Sequence, residues 1–411
     1  MLYIRRVQGN NQPNASEVLP ACRNPVASDR HFRKISEEKD LGTREMPAMN
    51  SNTIEIRENE PLAELTTFEV GGPARYFVRI ACEEDAAIAL DFAGENGLET
   101  LVLGGGSNVL VSDEGFPGLV ILNRMTGLTV EEEGDTVLAT VGAGEDWQEF
   151  VDLCVARGWQ GIECLAGIPG TVGASPIQNI GAYGQEVSQV IARVRCLEIA
   201  TGKSVTFETE DCSFRYRESI FNTREAGRFL VTSVTFRLAR GGAPVVQYRE
   251  LAERLSGIST PTLADVRDAV IVIRAGKGVL VRTGYESFRS AGSFFKNPVV
   301  SRARFDRIEA LLAGKGGAAN WAWPLPGGDV KVSAAYLIQS SGFERGHHRG
   351  NVGISPHHTL ILINRGGATA REIVDFAAEV RQRVLDRFGV TLMPEARLIG
   401  FGSSPLRCNR E

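Results

Sequence analysis

The spacing of apolar residues predicts alternating strands and helices from about residue 54 onward. Residues 74–80 (ARYFVRI) alternate apolar and polar side chains, which is typical of a half-buried strand. Residues 83–97 (EEDAAIALDFAGENG) have the spacing of an amphipathic helix. We expect it to end at Gly97, because glycine readily adopts the left-handed backbone that follows a helix. Residues 98–103 then form a buried strand that leads into three glycines.

Short strands dominate the next part of the chain. The segment 146–158 (DWQEFVDLCVARG) is the exception, since its apolar residues recur at helical spacing and Gly158 provides a stop. The strands are expected in LVILNR, LTVEEE, TVLATVGAG, a hairpin around ATGK in 190–209, and FLVTSVTFRLAR.

After about residue 245 the pattern changes to longer helices. The last helix, 370–389, has one apolar face formed by Ile373, Phe376, Ala377, Val380, Val384 and Phe388. The other elements expected here are helices over 263–278, 301–314 and 332–342 and a strand over 358–364. Two α+β blocks and a short C-terminal return segment emerge.

Composition narrows the class of protein. Residues 1–53 are polar and aperiodic, so we predict a disordered extension. The chain is 43% hydrophobic and 23% charged, with a formal net charge of -5 and no long run of one sign, which argues against a general nucleic-acid surface. The apolar stretches are too short to span a bilayer. Seven scattered cysteines without a C-x-x-C pair favour a reducing cytoplasm over a disulfide scaffold or zinc site.

Residues 101–111 (LVLGGGSNVLV) place three glycines, a serine and an asparagine between two strands. Main-chain N–H groups at glycines can approach an anion closely, and Ser107 and Asn108 add donors, so the segment can hold a phosphate without a lysine. A tight hairpin with an Asn turn is the simpler interpretation of these residues alone. Because a strand follows instead of a helix, the segment does not fit the Rossmann fingerprint.

Residues 165–186 (LAGIPGTVGASPIQNIGAYGQE) carry a stronger signal. Five glycines and two prolines leave little to fill a core, and so long a loop is uncommon unless it serves a ligand. A diphosphate with its ribose would suit the free amides, with Ser175, Gln178 and Asn179 as further donors. A plain surface loop is less satisfactory, because Ile168 and Ile177 would be left in water.

Five motifs along the chain resemble those of the UDP-N-acetylenolpyruvoylglucosamine reductase family, in the same order. The resemblance covers about residues 54–402, and the motifs together are far more specific than any one of them. They are LGGGSN, AGIPGTVGASPIQNIGAYGQE, FRYRESIF, AGSFFKNPVV and PEARLIGF.

This resemblance implies an α+β fold. Residues 54–240 would form a two-part FAD-binding region of the vanillyl-alcohol oxidase-like type, and residues 245–390 a C-terminal α/β substrate-binding domain. Residues 391–402 would return to the active site, followed by a tail over 403–411. The residues expected at the FAD are Gly104, Gly105, Gly106, Ser107, Asn108, Gly170, Ser175, Gln178, Asn179, Gly181, Arg274 and Arg397.

The family resemblance also implies the chemistry. NADPH gives a hydride to flavin N5 and leaves, and the reduced flavin then delivers a hydride to the vinyl carbon of the enolpyruvyl ether. Ser293 matches the family's proton donor, Arg217 the arginine that stabilises the enolate, and Glu395 a second acid. Phe294 and Phe295 are expected to pack rather than react.

Further positions match the family's substrate contacts. Tyr248 and Lys277 match residues that hold the substrate diphosphate, Asn297 matches another substrate contact, and Tyr183 is expected to face the cleft. His358 stands where some family members have glutamine; a neutral imidazole can replace an amide donor, but its charge varies near pH 6.5. We expect no metal here, because no carboxylate or cysteine lies at ligand spacing.

Two other functions compete with this interpretation. An oxidase of the vanillyl-alcohol oxidase type would keep the flavin loops, but it has no need of Ser293, Arg217 and Glu395 together. It also usually tethers flavin through His or Cys, which both loops lack. A nucleotide-binding module without catalysis would not need to retain the three reactive residues. We expect a monomer in the cytoplasm, with NADPH and the UDP-linked enolpyruvyl sugar as its substrates.

Overall fold

The computed structural model describes residues 5–7, 54–280, 289–312, 321–402 and 406. The α-helices are α1 (Glu83–Glu95), α2 (Trp147–Ala156), α3 (Arg249–Leu255), α4 (Leu263–Gly276), α5 (Arg302–Leu312), α6 (Ala334–Ser340) and α7 (Ala370–Phe388). The strands are β1 (Arg5–Val7), β2 (Glu55–Pro61), β3 (Pro73–Ile80), β4 (Thr100–Leu103), β5 (Val109–Val111), β6 (Phe116–Asn123), β7 (Leu128–Glu133), β8 (Thr136–Gly142), β9 (Trp159–Gln160), β10 (Gly181–Ala182), β11 (Gln185–Glu186), β12 (Ile191–Glu198), β13 (Ser204–Glu208), β14 (Phe229–Arg240), β15 (Val299–Val300), β16 (Ala322–Pro324), β17 (Val330–Val332), β18 (His348–Arg349), β19 (Val352–Ile354), β20 (Leu362–Asn364) and β21 (Arg397–Ile399).

A five-stranded mixed sheet of order β1-β2-β3-β6-β4 forms the first layer. Strand β6 is parallel to both β3 and β4, whereas β2 is antiparallel to β3. Strand β6 is covered on both faces of the sheet, because successive side chains point to opposite faces and residues 118–123 are all buried. Ile121 packs with helix α1 on one face, and Val120 packs with Phe77 on the other. The predicted strand at 74–80 and the helix ending before Gly97 are confirmed.

The second layer is an antiparallel sheet of order β13-β12-β14-β8-β7, with β9 paired to the end of β14. Helix α2 begins where the side chain of Asp146 accepts a hydrogen bond from the N–H of Glu149. The ring centroids of Trp147 and Phe150 lie 6.0 and 4.9 Å from that of Phe236 in β14. These aromatic contacts fix α2 against the sheet beside the glycine-rich loop 165–186.

Helices α3 and α4 belong to this second layer and not to the C-terminal region. Leu251 of α3 and Val266 and Val270 of α4 are buried in the same core as Trp147. The C-terminal core, in contrast, includes Ala291 and later residues. By packing, α3 and α4 thus share the core of the second layer, and the domain boundary near residue 245 stays a prediction. The amphipathic spacing of α4 correctly indicated a buried face but not the surface that covers it.

The C-terminal region packs α5, α6 and α7 around two small antiparallel sheets, β15-β17-β16 and β18-β19-β20. All six residues of the predicted apolar face of α7 are buried. Thr369 and Glu372 form a capping box at the start of α7, and Gly389 ends it with a φ of 63°. The predicted helix at 332–342 forms only over Ala334–Ser340, and the predicted strand at 358–364 only over Leu362–Asn364.

Contacts between distant segments join the C-terminal region to the first layer. Strand β21 pairs in parallel with β5. The side chain of Asp113 accepts hydrogen bonds from the N–H groups of Ala370 and Arg371 at the start of α7, at 2.8 and 2.9 Å. Asn364 donates its side-chain amide to the carbonyl oxygen of Phe68 at 2.9 Å. The return segment is thus held beside the glycine turn at 104–108.

The two ends of the chain were predicted to be disordered or tail-like. Among the described residues of these ends, Arg5–Val7 pair in parallel with Glu55–Arg57, and Leu406 is buried; both predictions stay predictions. The predictions for residues 1–4, 8–53, 403–405 and 407–411 lie outside the described residues. Within the part of the chain that the structure describes, no helix has both the length and the apolar character needed to cross a bilayer.

Candidate active site

Main-chain hydrogen bonds bring the backbone that follows Ser293 next to the backbone of Glu395. The N–H of Phe294 donates to the carbonyl oxygen of Leu360 at 2.8 Å, and the N–H of Glu395 donates to the carbonyl oxygen of Phe294 at 2.8 Å. The backbone next to Ser293 is therefore held between the chain before β20 and the return segment. The rings of Phe294 and Phe295 are buried in the C-terminal core, where they anchor this segment.

Arg217 reaches the same place from the loop after β13. Its Nε lies 3.0 Å from Oε1 of Glu395, and a terminal nitrogen donates to the carbonyl oxygen of Gly181 at 2.7 Å. The residue has a φ of 58°, which is uncommon for a residue other than glycine. Its carbonyl oxygen accepts hydrogen bonds from Asn222 at 3.1 Å and Lys296 at 3.5 Å. This loop therefore holds the guanidinium in one orientation.

Glu395 is almost enclosed by polar partners. The side-chain amide of Gln178 donates to its Oε1 at 2.7 Å, and Asn108 hydrogen-bonds both to Gln178 and, at 3.2 Å, to the carbonyl oxygen of Glu395. The pKa of Glu395 is raised, because the effect of burial outweighs the opposite effect of the nearby cations Arg217 and Lys296. Burial thus favours the neutral carboxyl group, and the two neighbouring cations favour the carboxylate. The predicted flavin residues Asn108 and Gln178 are thus tied directly to a predicted reactive residue.

The two glycine-rich loops touch each other. A Cβ on Gly105 would lie 2.7 Å from Cα of Gly170, which is too close for any larger residue. Ser107 donates its hydroxyl to the carbonyl oxygen of Pro169 at 3.0 Å. The glycines therefore have a packing role in joining the loops, in addition to leaving main-chain amides accessible.

Two of the predicted cofactor donors are engaged inside the protein. The hydroxyl of Ser175 donates to the carbonyl oxygen of Val172 at 2.7 Å. The amide of Asn179 donates to Glu186 at 2.9 Å and to the carbonyl oxygen of Arg215 at 3.0 Å. Both side chains are buried, so they shape the 165–186 loop from within.

Two buried donors on either side of Gly167 fit a polar ligand. Nε2 of Gln148 and Nε of Arg274 are buried without a hydrogen-bond partner among the described residues. Oε1 of Gln148 accepts from the N–H of Gly167, and a Cβ on Gly167 would lie 3.0 Å from Nε of Arg274. Burial also lowers the pKa of Arg274. An anionic or carbonyl-bearing group beside this loop would satisfy both donors, as the expected FAD would.

Tyr183, Tyr248 and Lys277 form one cluster at the outer end of the site. The two tyrosine rings meet edge to face with centroids 5.4 Å apart, and Nζ of Lys277 lies 5.3 Å from the centroid of Tyr183. Burial raises the pKa of Tyr183 to about 12, although nearby Arg274 lowers it. Nζ of Lys277 also lies 2.5 Å from Oε2 of Glu250. Glu250 was not predicted from the sequence.

His358 and Asn297 were also expected to contact the substrate. Nδ1 of His358 accepts a hydrogen bond from the N–H of Leu360 at 3.2 Å, which leaves Nε2–H as the donor. Burial lowers the pKa of His358 to about 4, with further lowering by Lys277. Oδ1 of Asn297 accepts from the N–H of Ala334 at 3.0 Å, so it also supports the start of α6. Among the described residues no group of His, Cys, Asp and Glu could hold a metal ion.

Tyr216 is a cleft residue that the sequence analysis missed. Its ring lies 5.2 Å from Cζ of Arg217 and 4.9 Å from Nζ of Lys331. Together with Lys296 and Asn297 it lines a cleft of about 290 Å³. The signal was present in FRYRESIF, where an aromatic residue stands between two arginines. Arg397 begins β21, and its N–H donates to the carbonyl oxygen of Asn108 at 3.0 Å; its contact with the flavin stays a prediction.

Comparisons with known proteins agree with this arrangement. Residues 74–208 match the family described as FAD binding domain, and residues 284–399 match the family described as UDP-N-acetylenolpyruvoylglucosamine reductase, C-terminal domain. The first match lies on the two sheets beside the glycine-rich loops, and the second spans the segments that carry Ser293 and Glu395. The predicted α+β fold with an FAD-binding region is therefore confirmed.

Whole-chain relatives give the same answer. The UDP-N-acetylenolpyruvoylglucosamine reductase of Salinispora arenicola is 46% identical over 82% of this chain and 94% of its own length. That of Thermobifida fusca is 43% identical over 85% and 99%. A solved structure of the enzyme from Thermus caldophilus is 25% identical, with a TM-score of 0.55, covering 84% of this chain and 98% of that one. This chain therefore belongs to the UDP-N-acetylenolpyruvoylglucosamine reductase family and has FAD as its cofactor.

Proposed function

We propose that Ser293, Arg217 and Glu395 carry the protein's part of this chain's reaction, the FAD-dependent reduction of UDP-N-acetylenolpyruvoylglucosamine by NADPH. The bound FAD would supply the hydride-transfer chemistry that connects NADPH to the substrate. The observation that supports the assignment is the meeting of three distant segments. Arg217 contacts Glu395 at 3.0 Å, and the N–H of Glu395 bonds to the residue that follows Ser293.

The enolpyruvyl group requires charge stabilisation first. Hydride addition to its vinyl carbon places negative charge on the adjacent carbon and the carboxylate, as an enolate. The fixed guanidinium of Arg217 can bind such a carboxylate through two N–H groups, which lysine cannot do. Because Arg217 is already anchored to Gly181 and Glu395, little reorganisation is needed as the charge develops.

A proton must then reach the carbon that bears the ether oxygen. Ser293 can supply it, because the enolate is a strong base and a neutral hydroxyl held in place is a sufficient acid. Glu395 is close by, and the raised pKa of its carboxyl suits it to hydrogen-bond the intermediate in its protonated form. Tyr248 and Lys277 would hold the substrate diphosphate, and His358 would donate its Nε2–H.

We further propose that the protein acts as a monomer in the cytoplasm. The product is a precursor of bacterial peptidoglycan, and both UDP-linked sugars and NADPH are cytoplasmic metabolites. The unpaired thiols of Cys154, Cys164, Cys196 and Cys212 suit a reducing compartment. Gel filtration of the purified protein at several concentrations measures the oligomeric state.

The half-reactions test the proposal. Purified protein should show the oxidised-flavin absorption bands near roughly 370 and 450 nm. In Ser293→Ala, NADPH should still bleach these bands at the normal rate. Reoxidation by the enolpyruvyl substrate should slow by about 10²- to 10⁴-fold, because only that half-reaction needs the proton donor.

Ser301→Ala is the matched control, since it removes an exposed serine hydroxyl from the same segment of the chain. It should leave both half-reactions unchanged. Equal slowing of both half-reactions in Ser293→Ala would show that Ser293 has a structural role, and the proton-donor assignment would be withdrawn. A folded protein without flavin bands would contradict the proposed function itself.

A further inference from the structure

An ion pair lies inside the cluster expected to bind the substrate diphosphate. Nζ of Lys277 is 2.5 Å from Oε2 of Glu250 and 5.3 Å from the ring centroid of Tyr183. The ammonium group is therefore held between a carboxylate and an aromatic face. A diphosphate that uses Lys277 must share it with this carboxylate or displace it.

The position of Glu250 is fixed by helix packing. It lies on α3, directly before Leu251, which is fully buried in the core of the second layer. Lys277 directly follows the last residue of α4, and α3 and α4 pack against each other. Because both helices are anchored in one core, the carboxylate stays near the lysine and is not carried there by a free loop.

Glu250 is a negative charge among groups that would otherwise attract an anion. Burial raises the pKa of Tyr248, and the carboxylate of Glu250 raises it further. The pKa of His358 is lowered by burial and by the positive charges of Lys277 and Arg345. The negative charge of Glu250 raises it. The electrostatic influence of Glu250 thus reaches Tyr248 and His358 as well as Lys277.

We propose that Glu250 is a specificity and release residue that competes with the nucleotide diphosphate for Lys277. This inference rests on the proposed function, because it assumes that Lys277 binds the diphosphate. The exposed fractions of the Lys277 and Glu250 side chains are 31% and 44%, and ion pairs this accessible to water are weak enough to be broken by a ligand. A diphosphate offers more charge and more acceptor oxygens than a carboxylate, so it displaces Glu250.

The competition has two consequences. A ligand with a single negative charge, such as a carboxylate, gains little by replacing the carboxylate of Glu250 at Lys277. The site therefore favours diphosphates. A bound diphosphate also remains beside a like charge, which favours its departure. Release matters in this reaction, because the product carries the same diphosphate as the substrate and must leave after each turnover.

The test compares Glu250→Gln with Glu253→Gln. Both variants remove one negative charge from α3, but Glu253 pairs with Arg249 at 2.6 Å and not with Lys277. UDP is titrated into the FAD-loaded proteins, and binding is followed by the change in flavin absorbance or by calorimetry. Glu250→Gln should lower the Kd for UDP about three- to tenfold and slow UDP dissociation, as expected when a weak competing ion pair is removed. Glu253→Gln should change the Kd by less than about twofold.

Steady-state kinetics and a double variant distinguish competition from a structural role. Glu250→Gln should lower KM for the enolpyruvyl substrate without raising kcat. In a Lys277→Met background the same substitution should have a smaller effect on the Kd, since there is no lysine to compete for. Weaker UDP binding in Glu250→Gln would mean that Glu250 orients Lys277, and it would overturn the proposal.

Failure of this inference is separable from failure of the proposed function. If the wild-type protein turns over the enolpyruvyl substrate and Lys277→Met weakens UDP binding, the diphosphate site stands. Equal Kd values for Glu250→Gln and the wild type would then contradict only the role of Glu250. If Lys277→Met leaves UDP binding unchanged, the diphosphate site itself is misassigned, and this inference fails with it.

Discussion

At the scale of single residues, the backbone of Arg217 matters as much as its charge. Its φ of 58° lies in the left-handed region, which costs free energy unless neighbouring contacts compensate. Asn222 and Lys296 both bond to its carbonyl oxygen, while Glu395 and Gly181 bind its side chain. The loop therefore orients the guanidinium before substrate arrives.

Arg217→Lys should test the value of that orientation. Lysine keeps the charge but cannot contact Glu395, Gly181 and the substrate carboxylate at once. We expect kcat to fall about 10²- to 10³-fold, with the rate of flavin reduction by NADPH unchanged, as measured by stopped-flow absorbance. Arg215→Lys is the control, because Arg215 is an exposed arginine two residues earlier. Similar losses in both variants would show that any arginine change in this loop disrupts the site.

The low pKa of His358 should affect stability at acidic pH. Burial lowers this pKa to about 4 from the ordinary value of 6.5. Between these values the unfolded chain binds a proton that the folded protein does not, so the free energy of unfolding falls as the pH drops from 6.5 to 4. The loss should be about 1 to 3 kcal/mol.

His358→Gln should remove that part of the pH dependence. The difference in Tm between the variant and the wild type should therefore grow in favour of the variant as the pH falls, measured by differential scanning fluorimetry. His348→Gln replaces an exposed histidine on β18 and serves as the control. An unchanged difference in Tm across this range would show that His358 is not resisting protonation in the folded protein.

The candidate site was predictable only where the sequence carries a motif. The motifs identified the segments that bring Ser293 and Glu395 together, because the order and type of their residues are specific. Hydrogen-bond partners were not predictable: Ser175 bonds to Val172 and Asn179 to Glu186 and Arg215, and their contact with the cofactor stays a prediction. Glu250 went unnoticed because a glutamate on a short helix gives no sign of the lysine it will meet.

At the scale of elements, the close approach of the two glycine-rich loops should be sensitive to one methyl group. Gly105→Ala places a Cβ 2.7 Å from Cα of Gly170, so the loops must move apart. We expect a loss of about 1 to 3 kcal/mol in the free energy of unfolding and a lower FAD content, measured from the ratio of flavin to protein absorbance.

Gly94→Ala is the control for that variant. Gly94 lies within α1, and a Cβ there would meet no atom within 4 Å. Alanine should therefore be neutral or stabilise the protein by up to about 1 kcal/mol, since glycine is unfavourable inside a helix. Full FAD content in Gly105→Ala would show that the loops can separate without losing the cofactor.

Long elements were predicted well and short ones were not. Helix α7 has 19 residues, a capping box at Thr369 and a terminal glycine, so periodicity and end signals agree. Strands β15, β18 and β19 have two or three residues each, too few for alternation to be recognised. The parallel pairing of β5 with β21 joins segments almost 290 residues apart, a partnership that local patterns do not encode.

At the scale of the whole molecule, the candidate site depends on how the C-terminal region packs against both the first and the second layer. Ser293 and Glu395 come from the C-terminal region and return segment, whereas Arg217 and Gln178 come from the second layer. Thr67 adds a tie by donating its hydroxyl to the carbonyl oxygen of Ser290 at 2.6 Å. Contacts that join the layers therefore hold the candidate site residues together.

Asp113→Ala should loosen this assembly. Asp113 lies in the turn before β6, and its carboxylate satisfies two N–H groups at the start of α7. Its removal should cost about 1 to 2 kcal/mol, as for the loss of a helix cap, and lower Tm by a few degrees. Asp375→Ala is the control, since Asp375 forms an exposed pair with Arg371 on the same helix.

Because α7 is bonded to the first layer, all structured regions should lose stability together, and calorimetry should show one shifted transition. If only one of two separate transitions moves, the C-terminal region unfolds independently, and this bond does not couple it to the flavin-binding layers.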